Sequence, residues 1–269
     1  LDLGALLPAR PALERSRLAA EALGDPHALD DDRPVARLLV GQLAARAGTE
    51  PPATALARRE LLARFGVRCD SLSCDVLALG LPALGGRRLA RAVAAVEGRH
   101  LRLTLAQLQA EPVPGCAAPI GQVFCCENPV VLAAAEQRLW PRVPPLVCTA
   151  GWPNAAACVL LEGLRGAGAE IRYHGDFDWE GLRIHAWLRE QVGVEPWRMD
   201  AASYRAAATA APDTAPRLPV LNTPPSGVDP ALVEAMRACG RVVPEELLLD
   251  VLLADLALAG ERAGSGWSA

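Results

Sequence analysis

Apolar residues recur at helical spacing over residues 11–24 and 33–47, as in Val35, Leu38, Leu39 and Leu43, and the acidic loop Asp30-Asp31-Asp32 divides the two stretches. Both are therefore predicted helices. A third helix is expected over 56–66, stopped at Gly66, followed by an apolar run from Val76 to Leu81 and an arginine-bearing helix over 86–97. The first third thus reads as mostly helical, compatible with a winged-helix-like DNA-binding module. The segment from Glu111 to Pro119 is rich in breakers, which places a boundary between one domain over residues 1–112 and a second over 119–259. Beyond it the period changes. Strands are predicted at 120–126, 145–150, 170–175 and 194–199, with helices at 130–140, 154–167 and 180–191 between them. Such alternation predicts an α/β, Rossmann-like domain: a parallel sheet of about four strands between helices. The Ala/Pro-rich stretch 206–227 reads as a long loop, 229–239 and 245–258 as helices, and 260–269 as a flexible tail.

Composition narrows the classes. At 269 residues with 51% hydrophobic content, two modest domains are expected. No stretch approaches the ~20 apolar residues of a membrane span, and the N-terminus lacks the order of a secretory signal. A soluble, cytoplasmic protein with no membrane partner is the expectation. Cys125, Cys126 and Cys148 lie in apolar runs and no C-x-x-C pair occurs, so the eight cysteines read as thiols rather than disulfides. The four histidines are scattered, which argues against a structural zinc site. All 27 basic residues are arginine. The absence of lysine excludes P-loop chemistry and Schiff-base catalysis. The net charge is -4, yet residues 33–110 hold twelve arginines against five acids and residues 116–269 twelve against eighteen. That polarity suits a basic platform for a polyanion beside an acidic centre, with Arg58, Arg59, Arg64, Arg68, Arg87, Arg88 and Arg91 as candidate DNA contacts. Solvated helix faces explain the same arginines equally well.

Functional groups of parallel sheets gather at the carboxyl ends of the strands. Here those ends are acidic: Glu127 closes the first predicted strand, and the third runs into Asp176-Phe-Asp178-Trp-Glu180-Gly181. Carboxylates at alternate positions of an extended segment project to one side and offer hard oxygen ligands for Mg²⁺ or Mn²⁺. Taken alone, the two aspartates are as readily a turn and a helix cap. Acids on two strand ends of one short sheet shift the balance toward Glu127, Asp176 and Asp178 as catalytic metal ligands. Glu180 is a further ligand or a complement to its helix N-terminus. Glu245 and Glu246 open the last helix, where capping is the first expectation and reaching the same metal the second. His174 reads as a buried strand residue satisfied by hydrogen bonds. Trp152 and Asn154 follow the second strand, the latter as a helix cap, the former to stack on a base or fill an interface.

This combination resembles the Toprim domain of type II and type VI topoisomerases, bacterial primases and several nucleases, over roughly residues 120–200. In that family the glutamate after the first strand and the D-x-D after the third are the signature, matching Glu127, Asp176 and Asp178; Asn128-Pro129 departs from the small residues common in topoisomerases. The runs RFGVRCDSLSCDVLALGLP (64–82), VFCCENPVVLAAA (123–135), YHGDFDWEGLRI (173–184) and VVPEELLLDVLLADL (242–256) further resemble the Toprim nuclease subunit, JetD, of Wadjet-type plasmid-defence systems. That resemblance implies a homodimeric nuclease that works with an SMC-like condensin complex on invading plasmid DNA. Topoisomerase VI relatives attack with a tyrosine ahead of Toprim, whereas no tyrosine here precedes Tyr173. Hydrolysis of double-stranded DNA is therefore expected, unless a segment preceding Leu1 or a partner supplies the nucleophile. The alternative is a non-catalytic DNA-binding or assembly subunit. Phosphatases of the haloacid dehalogenase type place D-x-D on the first strand and use a lysine, and neither condition holds.

Overall fold

The computed structural model describes residues 3–84, 86–111, 113, 120–212, 214–221 and 224–264. The chain divides into two compact units, Leu1–Cys74 and Asp75–Ala269.

The first unit is mostly helical. Helices α1 (Arg15–Leu23), α2 (Pro34–Ala47) and α3 (Ala55–Arg64) pack with a 3-10 turn (Leu3–Leu6) around Leu18, Leu39, Leu43, Leu61 and Leu62. Pro34 opens α2, where a missing N–H costs nothing, and Gly48 closes it at φ 69°. Thr54 caps α3 by accepting from the Ala57 N–H at 3.0 Å. Helix α1 starts four residues later than its apolar period suggests, because Leu13–Glu14 (β1) pairs in parallel with Val67–Arg68 (β2).

The second unit holds a six-stranded, mostly parallel sheet. Its strands are β3 (Asp75–Leu79), β4 (Leu101–Thr104), β5 (Gln122–Cys126), β6 (Leu146–Cys148), β7 (Glu170–Tyr173) and β8 (Glu195–Pro196), in the order β4-β3-β6-β5-β7-β8. The four expected strands, β5 to β8, are parallel to one another where they pair. Strand β3 runs antiparallel to both β4 and β6 and extends the sheet by two. Those two strands come from sequence assigned above to the first domain, so the division falls at Cys74/Asp75 and not within 113–118. Of the breaker-rich segment, 112 and 114–119 lie outside the described residues. Glu111 belongs to the second unit, where its carboxylate accepts from the Arg88 and Leu89 N–H groups, each at 2.9 Å, at the start of α4 (Arg87–Ala95).

Alternation along the strands sorts the core. Phe124, Cys126, Leu146 and Cys148 face α6 (Pro129–Leu139), α9 (Ala201–Ala210), α10 (Pro230–Cys239) and α11 (Leu249–Gly264) in one buried cluster. Val123, Cys125, Val147, Ile171 and Tyr173, all fully buried, point the other way, toward the side covered by α7 (Ala155–Gly166). The expected loop over 206–227 begins as helix α9, capped by Asp200. Its alanines are the best helix formers, and Tyr204 and Ala208 give it a face to bury. The expected tail also retreats: α11 continues to Gly264, and 265–269 lie outside the described residues. From β5 the chain crosses through α6 to β6 on one side, then returns through α7 to β7 on the other. The connections therefore diverge between β5 and β7, the switch point where α/β sheets open a crevice.

Candidate active site

Glu127 leaves β5 and Asp176 follows β7, so the two carboxylates arise on either side of the switch point. The D-x-D segment is extended because Phe177 forms an antiparallel bridge with Val243, through N···O bonds of 2.9 and 3.3 Å. Phe177 is fully buried, so alternation turns Asp176 and Asp178 the other way. Two residues past the bridge, the Glu245 N–H donates to Asp176 Oδ1 at 2.7 Å. The Glu245 carboxylate, itself fully buried, accepts from the Glu127 N–H at 3.3 Å and the Asn128 N–H at 2.6 Å. Glu127 Oε2 closes the ring by accepting from the Asp176 N–H at 3.2 Å and from the Tyr173 hydroxyl at 3.3 Å. Hydrogen bonds thus tie three chain segments, far apart in sequence, around Glu127 and Asp176.

Each expected acid is anchored through one oxygen and keeps the other: Glu127 through Oε2, Asp176 through Oδ1, and Asp178 through Oδ1, which accepts from the Gly181 N–H at 2.8 Å and caps α8 (Trp179–Gln191). Among the described residues, Glu127 Oε1, Asp176 Oδ2 and Asp178 Oδ2 have no hydrogen-bond partner. Burial, and next the charge of Asp176, raise the Glu127 pKa from its usual 4.5 to about 7. Burial likewise raises Asp176, and pushes Glu245 well above the ordinary carboxylate range. Among the described residues no arginine forms an ion pair with Glu127, Asp176, Asp178 or Glu245.

Hard oxygens without a cation of the protein's own are a donor set that fits a divalent ion. Among the described residues, however, no three acid, His or Cys side chains already form a ready coordination cluster. Glu127 and Asp176 meet, while Asp178 is directed to its helix cap. Two glycines permit the approach. A Cβ on Gly175 would stand 2.6 Å from Glu127 Oε2 and still closer to the Tyr173 hydroxyl, and one on Gly181 would strike the Asp176 carbonyl. The sequence signal for this was the Gly just before the first aspartate, since glycine in a strand marks a close approach; the Tyr173 hydroxyl bond and the Phe177–Val243 bridge left none.

The remaining candidates fall elsewhere. Glu180, exposed on the first turn of α8, receives the Trp152 indole N–H and pairs with Arg183 at 2.9 Å; the Trp152 bond, then Arg183, hold its pKa low. Glu246 accepts from Asn128 Nδ2 at 2.6 Å. Contrary to the first expectation, Glu245 does not cap the last helix but accepts from the Glu127 and Asn128 N–H groups ahead of α6. His174 is buried with Nδ1 2.8 Å from the Trp197 carbonyl. Asn154 caps α7 through the Ala156 and Ala157 N–H groups. Tyr204 is buried, its hydroxyl donating to the Arg241 carbonyl at 2.8 Å. No disulfide joins the described cysteines. The candidate DNA-contacting arginines divide between the units: Arg58, Arg59, Arg64 and Arg68 stand in the first, and Arg87, Arg88 and Arg91 lie on α4 in the second. Arg58 lies 3.5 Å from Asp31, Arg68 2.9 Å from Glu14, and Arg59 donates to the Asp70 carbonyl. Arg64, Arg87, Arg88 and Arg91 are exposed. No described helix is long and apolar enough to cross a membrane.

No curated protein matches the chain. A family model described as "Protein of unknown function N-terminus (DUF3323)" matches residues 3–83. A second model matches residues 101–256, which include β5, β7, both acidic loops and Glu245, and the chain therefore belongs to the family described as "Protein of unknown function C-terminus (DUF2399)".

Proposed function

We propose that the protein is a metal-dependent DNA endonuclease of the Toprim type, hydrolysing phosphodiesters at the switch point between β5 and β7. The observation that carries this reading is the approach of Glu127 to Asp176 at two strand ends, where the Asp176 backbone N–H donates to the Glu127 carboxylate and, among the described residues, no arginine pairs with either acid. Glu127, Asp176 and Asp178 would hold Mg²⁺ or Mn²⁺, which supplies charge neutralisation at the scissile phosphate and a lowered pKa for an attacking water. Asp176 and Asp178 each keep one carboxylate oxygen without a hydrogen-bond partner among the described residues. Glu127, whose pKa is about 7 without metal, either completes the metal site, where a bound cation would hold it ionised, or serves as general acid or base. Tyr173 orients Glu127 and is buried, and Tyr204 is buried with its hydroxyl engaged, which favours water over a tyrosine as the nucleophile.

The JetD-like resemblance extends this reading to a homodimer that cuts plasmid DNA in the cytoplasm when an SMC-like complex presents it. A second reading, a non-catalytic DNA-binding or assembly subunit, is favoured by the lack of a ready three-ligand cluster among the described residues. The test is nicking of supercoiled plasmid in Mg²⁺ or Mn²⁺ by the unmodified chain, Asp176→Ala and Glu127→Ala. Loss of an outer partner of a metal ligand already costs 10–100-fold, so each substitution should cost at least about 100-fold. Equal nicking by all three overturns the assignment.

A further inference from the structure

Trp152 is a large aromatic left 46% exposed, yet it is held in place at several points. The loop leading to it carries two consecutive left-handed residues, Ala150 at φ 52° and Gly151 at φ 89°. That loop is tied to the first acid, for the Gly151 N–H donates to the Glu127 carbonyl at 3.3 Å. The indole N–H of Trp152 donates to Glu180, two residues beyond Asp178, and Arg183 fixes the other oxygen of that carboxylate at 2.9 Å. Trp187 packs against the indole at 6.0 Å between ring centroids and an interplanar angle of 70°. The ring is thus pinned between the segments that carry Glu127 and Asp178, while close to half of its surface stays open to solvent.

An exposed indole is ordinarily free to rotate and loses that freedom on binding. One fixed in advance avoids the loss, which is the arrangement expected of a stacking platform. We propose that Trp152 stacks on a nucleobase displaced from the helical stack beside the cut phosphate, so that the preferred substrate is DNA with an unpaired or unstacked nucleotide at the cleavage position. The inference rests on the reading of Glu127, Asp176 and Asp178 as the phosphate-handling centre. Every base has a π-face, so the platform selects for unstacking and not for sequence. Perfect duplex keeps its bases stacked and cannot offer one without first being distorted.

The experiment is fluorescence anisotropy of the full chain with two labelled 24-mers, one fully paired and one carrying a central two-nucleotide mismatch bubble, in Ca²⁺. The unmodified chain should prefer the bubble. Trp152→Ala should bind the bubble about 5- to 100-fold more weakly, as expected for loss of one base–aromatic stack, with less than about twofold change on paired duplex. Trp152→Phe, which keeps a π-face, should recover most of the loss. Unchanged bubble binding by Trp152→Ala, or an equal loss on both DNAs, overturns the proposal. So does a change in oligomeric state of DNA-free Trp152→Ala on sedimentation, which would make the platform a protein contact. Failure of the nuclease reading would appear separately, as no metal-dependent nicking by the unmodified chain while the bubble preference persists.

Discussion

Two carboxylate sites in the second unit use the same residue types in opposite ways. Asp255, on α11, receives Arg198 through both its oxygens at 2.5 and 2.6 Å and the Trp197 indole at 2.9 Å; burial raises its pKa, but the Arg198 and Trp197 bonds outweigh it, and the net shift is down. At the strand-end site the Glu127, Asp176 and Glu245 carboxylates accept from one another's backbone N–H groups, from the Asn128 N–H and from the Tyr173 hydroxyl, with no arginine partner among the described residues, and every one of their pKa values is raised. The first is a clamp that is electrostatically complete. The second is complete only in its geometry, and no arginine among the described residues pairs with its carboxylates. In a protein with 27 arginines, that difference is what the proposed metal-dependent reading rests on.

The comparison can be broken by substitution. The largest expected effect after loss of an acid itself is at Gly175, where an added methyl group must displace Glu127 Oε2 or the Tyr173 hydroxyl. Gly175→Ala should lower metal-dependent nicking by about 10–100-fold, the range for disturbed support of a metal ligand, while circular dichroism shows the fold kept; full nicking would mean that Glu127 need not stand where it does. Next comes the clamp. Asp255→Ala leaves Arg198 and Trp197 without their shared acceptor and should destabilise by about 1–2 kcal/mol, discounted for partial exposure, with little change in nicking per folded molecule; denaturant melts together with nicking assays check both parts.

The smallest effect is a pH slope. Glu127 binds its proton more tightly folded, at about 7 against an ordinary 4.5. Its contribution to stability is present below pH 4.5 and lost as pH rises through 7, by about 1 kcal/mol after discounting for solvent. His174 and His185, both buried, are lowered from 6.5 to about 4. Their contribution is present above pH 6.5 and lost as pH falls toward 4. Thermal melts from pH 4 to 8 without metal should therefore decline at both ends. Glu127→Gln should flatten the alkaline side alone and His185→Phe should soften the acid side; an unchanged alkaline slope in Glu127→Gln would show that like-charge strain is not centred on Glu127.

Much of this site was legible in the sequence because strand ends and acids are local signals. The continuous apolar run QVFCC stopping at Glu127, and a second strand running into alternating aspartates, place three carboxylates on one edge from periodicity alone. What was not legible came from long-range pairing. Nothing in Val76 to Leu81 tells that it joins the edge of the parallel strands, and Leu101–Thr104 is too short to announce itself, so the boundary was set too late. Glu245 lies 118 residues from Glu127, and the Phe177–Val243 bridge helps to bring it back. Asp178 shows the helix-cap reading, through one oxygen, with the other left over.

The most direct test of the central claim is a calorimetric titration of Mn²⁺ into the full chain at pH 7.5, with Asp176→Ala alongside. The account predicts saturable binding by the unmodified protein and at least tenfold weaker binding by the variant. Equal affinity in the two would contradict it.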